Sequence, residues 1–133
     1  MMNPTGRILV VDDEPSVLVT YKMILQQQGH DVQVALTSRE ALQLVRQNEF
    51  DLLLCDLSLE EKHTGFEVID AARAQWPAVV CVILTGYASP EVAEQARRDG
   101  IAVLFKPIDI PEFLSTVNDS LRKAHGQVKA SGG

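Results

Sequence analysis

At 133 residues with a net charge of −6, the chain is the size of one globular domain, and its average field repels a nucleic-acid backbone. Its 46% hydrophobic and 23% charged residues are ordinary for a soluble protein and argue against disorder or a fibre. The longest apolar stretches are too short to cross a bilayer, and Met1–Gly6 has no apolar signal core. We therefore read the chain as cytoplasmic, with no membrane partner and no nucleic-acid partner by this chain alone.

Five apolar runs are predicted as strands: Arg7–Val11, Asp31–Ala35, Asp51–Cys55, Val79–Leu84 and Ile101–Phe105. The first, third and fourth hold cores that are apolar at every position, as in a parallel sheet covered on both faces. Between the runs lie helix signals. Val17, Tyr21 and Ile24 share a face that Gly29 terminates. Thr37-Ser38-Arg39-Glu40 reads as a capping box. A third helix, marked by Phe66, Ile69 and Ala72, must stop before Trp76-Pro77. Ser89-Pro90 opens a fourth, closed by Gly100, and Asp109 caps a fifth that carries Leu114, Val117 and Leu121.

Strict β-α alternation predicts an α/β fold: a doubly wound, five-stranded parallel sheet of flavodoxin-like order 2-1-3-4-5, with helices on both faces. Residues 1–6 are expected as an N-terminal extension, 7–125 as the domain, and 126–133, rich in Gly and Ser, as a flexible tail. Cys55 and Cys81 lie inside strands and read as buried thiols. His30, His63 and His125 have no ligand spacing and read as surface residues.

Ligands of such a sheet bind beyond the carboxyl ends of its strands. Four runs end there in polar groups: Asp12-Asp13, Asp56, Thr85-Gly86 and Lys106-Pro107. Singly, each has a bland reading, Asp13 as a helix cap and Lys106 as a solvated charge. Together, three carboxylates and a lysine at one edge need a common cause, and a divalent cation with hard oxygen ligands, Mg²⁺, supplies it. Asp56, between the acidic pair and the lysine, is then the natural nucleophile toward phosphorus. Mg²⁺ and Lys106 would neutralise the equatorial oxygens.

With these residues in this order, the chain resembles the receiver domains of two-component response regulators. The resemblance implies Asp56 as phosphoacceptor and Asp13 as a direct metal ligand, with Asp12 acting mostly through water. It adds the backbone carbonyl of Ser58 to the metal set. Thr85 and Lys106 become switch and phosphate-binding residues, and the bond to Pro107 is expected to be cis. It implies phosphorylation by a sensor histidine kinase or a histidine phosphotransfer protein. Output would run through the fourth helix, fifth strand and fifth helix, a surface that also admits a homodimer. Ser58 and Tyr87 flank the path of attacking water, so they are expected to tune phosphate lifetime, the bulk of Tyr87 slowing hydrolysis. Two features depart from the family pattern. Leu59-Glu60 replaces the usual Met-Pro pair, with Gly65 nine residues after Asp56, and Val103 occupies the usual aromatic switch position, leaving Phe105 as a candidate replacement.

Three rivals are weaker. An aspartyl-nucleophile hydrolase places a second Asp where Ser58 stands, so turnover lacks a proton shuttle and the chain is not expected to be a multiple-turnover enzyme. Nucleotide or flavin binding lacks a Gly-rich turn after the first strand. A phosphate-independent interaction module would have no use for the acidic pair, Asp56 and Lys106.

Overall fold

The computed structural model describes residues 4–57 and 65–132, side chains from 127 onward excepted. Five strands, β1 (Arg7–Val11), β2 (Asp31–Ala35), β3 (Leu52–Asp56), β4 (Val80–Thr85) and β5 (Ala102–Phe105), alternate with five helices. These are α1 (Pro15–Gln27), α2 (Ser38–Gln47), α3 (Gly65–Gln75), α4 (Pro90–Arg98) and α5 (Ile110–Gly132). The sheet is parallel throughout, in the order β2-β1-β3-β4-β5.

Continuous apolar strands are explained by helices on both sides. Leu9, Val11, Leu53, Cys55, Cys81 and Ile83 face α2, α3 and α4 through Ala41, Val45, Ile69, Ala72 and Ala96. Ile8, Val10, Leu52, Leu54, Val82 and Leu84 face α1 and α5 through Leu18, Leu25, Phe113, Val117 and Leu121. Each such side chain removed from water contributes about 1.5–3 kcal/mol, which is why all three central strands are buried at every core position. Both thiols are buried and unpaired by disulfide.

The helix starts follow local chemistry. Thr37 Oγ1 accepts from the Glu40 amide at 3.1 Å, while Glu40 Oε1 reaches back to the Leu36 amide at 2.9 Å. Ser89 accepts from the Val92 amide at 3.2 Å with Pro90 in the first turn, and Asp109 accepts from the Glu112 amide at 3.0 Å. Gly29 and Gly100 end their helices with φ of 93° and 70°. Some element bounds differ from the sequence reading, and β5 begins at Ala102 rather than Ile101. Strands β3 and β4 each start and end one residue later than expected, so Asp56 and Thr85 are ladder residues rather than the first residues after a strand. Helix α5 continues into residues 126–132, where Gly and Ser content suggests a tail.

The expectation that His30 lies on the surface is overturned: it is 6% exposed, covered where the N-terminal segment crosses the α1–β2 turn. His125 is exposed, and His63 lies outside the described residues.

Candidate functional site

Parallel register sets the geometry of the site. Val11 pairs with Cys55, so Asp12 leaves β1 beside Asp56, and Asp56 in turn pairs with Leu84, next to Thr85. The ladder extends one residue beyond two strands: the Asp12 amide donates to Ala35 O at 3.1 Å and the Lys106 amide to Thr85 O at 2.8 Å. These bonds pin the backbone from which both charged side chains project.

Asp12, Asp13 and Asp56 offer carboxylate oxygens that all lie within 4.8 Å of one another. Asp12 and Asp56 are buried, whereas Asp13 is exposed at the mouth. Lys106 bridges the buried pair, its Nζ donating to Asp12 Oδ2 at 2.7 Å and to Asp56 Oδ2 at 3.3 Å. The other Asp12 oxygen, Oδ1, accepts from the Glu14 amide at 3.0 Å. That bond, rather than a side-chain cap from Asp13, serves the start of α1, where Glu14 is the N-cap. Asp13 is thereby left facing the site.

Two opposed effects act on Asp12. Burial raises its carboxyl pKa, and this prevails over the lowering by Lys106 and the Glu14 amide. Burial pulls Lys106 the other way, but hydrogen bonds and charge from Asp12 and Asp56 outweigh it and hold the ammonium above its usual pKa. The ion pair therefore rests on a firmly charged lysine. Tyr21, stacked on Phe113 with centroids 5.0 Å apart, has its phenol pKa raised chiefly by burial, with smaller effects from Lys106, Asp12 and Asp56.

The Thr85 hydroxyl is committed to its own turn: it donates to Tyr87 O at 2.9 Å and accepts from the Tyr87 amide at 3.3 Å. Tyr87 is 75% exposed. Val103 packs against the α2–α4 core cluster, and Phe105, the ladder partner of Thr85, is 54% exposed. The Lys106-Pro107 bond is cis. Ser58 and the departing Leu59-Glu60 pair lie outside the described residues.

Gly65 is a site-shaping residue that strand-end logic gives no reason to weigh. A Cβ there would meet Asp56 O at 2.6 Å and Leu57 Cα at 2.8 Å, so α3 starts pressed against the backbone of Asp56. Its signal in the sequence is a glycine at a helix start, a position where a Cβ is normally tolerated.

Residues 8–118 match the family model of the response regulator receiver domain. The transcriptional regulatory protein ZraR of Escherichia coli K12 is 35% identical over 119 residues, 89% of this chain and 27% of that protein. The chain thus spans about a quarter of the length of the curated relatives it matches. A receiver domain protein (CheY-like) from Methanospirillum hungatei superposes with a TM-score of 0.85 at 30% identity, covering 92% of this chain and 98% of that one. Vibrio cholerae chemotaxis protein CheY4 gives 0.78 at 29% identity, covering 88% and 99%. In sequence and in strand order alike, the chain belongs to the receiver domain family of two-component response regulators.

Proposed function

We propose that the chain accepts a phosphoryl group on Asp56 from a histidine kinase or histidine phosphotransfer protein, in a Mg²⁺-dependent reaction, and passes the change to a protein target. The observation that carries this reading is the convergence of three carboxylates within 4.8 Å beside the Lys106 ammonium. An all-oxygen anionic donor set suits Mg²⁺. Asp13 and Asp56 would hold the ion directly and Asp12 through water, both of its oxygens already being engaged. The Ser58 carbonyl would complete the set from outside the described residues. A bound Mg²⁺ supplies positive charge against the phosphoryl oxygens.

The remaining work belongs to the chain. An Asp56 oxygen forms the new P–O bond as the donor's P–N bond breaks. Lys106, already 3.3 Å from Asp56, stays within reach of the incoming oxygens. Thr85 has one hydroxyl proton to give; donated to a phosphoryl oxygen, it is withdrawn from Tyr87 O. Release of that turn loosens the start of α4, which buries only Ala96 and so is shallowly anchored. The output surface is then α4–β5–α5, where Phe105 and Tyr87 are the exposed aromatic groups, and a homodimer or another protein would dock there. The role is that of a stoichiometric signal carrier rather than a turnover enzyme. Tyr87 screens the phosphoryl group from water, so Tyr87→Ala should shorten its lifetime in a mass time course; an unchanged lifetime would remove that role.

Incubation with a small acyl phosphate and Mg²⁺, read by intact mass, tests the reading. The native chain should gain one phosphoryl group, and Asp56→Asn or addition of EDTA should abolish the gain. A native protein that gains no mass, or an Asp56→Asn protein that gains it equally, overturns the proposal.

A further inference from the structure

At the opposite end of the sheet from the acidic site, the segment preceding β1 threads a narrow slot. Gly6 is closely packed: a Cβ would meet the side-chain ends Asp51 Oδ2 and Leu121 Cδ2, each at 2.8 Å, and would have to displace them. The third wall is the α1–β2 turn, where Gly29 sits at φ 93° and a Cβ would touch Thr5 Cγ2 at 3.5 Å. The Gly6 carbonyl accepts from the Asp31 amide at 3.0 Å. Its amide donates to His30 Nδ1 at 3.3 Å. His30 is 6% exposed, and its Nε2 is buried with no hydrogen-bond partner among the described residues.

An imidazole nitrogen accepts a hydrogen bond only when it carries no proton. Accepting from Gly6 therefore fixes His30 as the neutral Nε2–H tautomer. A second proton has one place to go, Nδ1, where it would point a donor at the Gly6 amide. It would also place a charge on a ring without a carboxylate to meet it. Around the slot, Arg7 on β1 pairs with Asp31 on β2 at 3.6 Å, and Asp51 accepts from the Arg7 amide at 2.9 Å. The last turn of α1 is uncharged (Gln26, Gln27), its nearest cation being Lys22; Lys123 and His125 on α5 are exposed. Among the described residues, none of these bonds to or forms an ion pair with the imidazole; burial lowers its basicity.

We propose that Thr5–Gly6 is a clasp closed by neutral His30, which opens on protonation of the imidazole and frees Leu121 of α5 from the chain that packs against it. The inference stands apart from phosphoryl transfer at Asp56 and survives failure of that reading. It makes α5, one wall of the proposed output surface, responsive to protons at a point remote from the acidic site.

Amide exchange at Gly6, followed by NMR on the intact chain with the intrinsic pH dependence of exchange divided out, tests it alongside the imidazole ¹⁵N shifts of His30. Protection of the Gly6 amide should fall about tenfold as the imidazole takes up its proton, the two midpoints coinciding below the ordinary histidine value near 6.5. At neutral pH the shifts should show Nδ1 bare and Nε2 protonated. His30→Gln, whose amide oxygen can accept the same bond without titrating, should keep Gly6 protected across the range. Gly6 protection that stays flat through the His30 titration overturns the clasp, as does a neutral imidazole protonated on Nδ1; both are read on the native protein.

Discussion

Replacing Lys106 by Met removes an ammonium and keeps most of its aliphatic stem, so it isolates the charge that bridges Asp12 and Asp56. Asp12 is wholly buried and would retain only the Glu14 amide. Removing one partner of a buried pair costs about 3–5 kcal/mol, because the survivor is left uncompensated. The Lys106 side chain is 21% exposed and the site opens to water at Asp13, which brings the expected cost to about 2–3 kcal/mol at neutral pH. A domain stable by about 5–15 kcal/mol remains folded, so the loss is measurable by urea unfolding. A divalent ion can replace the missing charge. If the variant binds Mg²⁺ about tenfold more tightly, having lost its internal competitor, saturating metal recovers about 1.4 kcal/mol of the gap. The gap should also narrow as pH falls, since the Asp12 carboxyl is already shifted upward by burial and, once protonated, needs no counter-charge. Equal stability of the two proteins in EDTA, or equal stabilisation of both by Mg²⁺, would show that Lys106 is not the counter-ion of the metal-free site.

Gly65→Ala forces a methyl group to 2.6 Å from Asp56 O; a loss of about 1–3 kcal/mol in chemical denaturation is expected, and a neutral substitution would mean that α3 can back away. Thr85→Val keeps the shape and deletes the hydroxyl, costing about 1 kcal/mol; phosphorylation is expected to alter amide exchange over residues 86–100 in the native chain and to leave it unaltered in the variant. His30 has a lowered basicity in the fold, so the unfolded chain binds its proton first. Stability should fall as pH drops from about 6.5 toward the folded-state value, and His30→Gln should flatten that limb of the urea midpoint against pH.

Much of the fold is legible because its determinants are local or periodic. Apolar runs without polar alternation specify doubly covered strands, and Thr37, Ser89 and Asp109 mark helix starts by the bonds their side chains then make. The polar strand ends were equally legible, since a parallel sheet brings every carboxyl end to one edge. Side-chain partnerships were not. Lys106 makes its shorter bond to Asp12, 94 residues away, and its longer one to Asp56. No spacing rule ranks two acceptors so far from the donor. His30 looked like a surface residue because its own neighbours are Gln28, Gly29 and Asp31; it is buried by a segment 24 residues upstream. The one-residue shifts of the ends of β3 and β4 escaped for a simpler reason: the ladder bonds backbone groups, so it does not stop where polarity begins.

The site divides its three carboxylates by solvent access, and that division suits a reversible switch. Asp12 is fully enclosed and fully engaged, a fixed anion that holds Lys106 in place. Asp13 stands in water at the mouth, where an ion can arrive and leave without disturbing the core. Asp56 lies between, 5% exposed, on a ladder residue whose backbone is wedged by Gly65 and therefore cannot retreat when its side chain is modified. Under the proposed phosphorylation, movement would fall on the softer side of the site, where Thr85 holds its turn by a single pair of bonds to Tyr87 and α4 is anchored by one buried alanine. Rigid chemistry on β1 and β3, set against a loosely held neighbour after β4, gives a new group on Asp56 one direction in which to be felt.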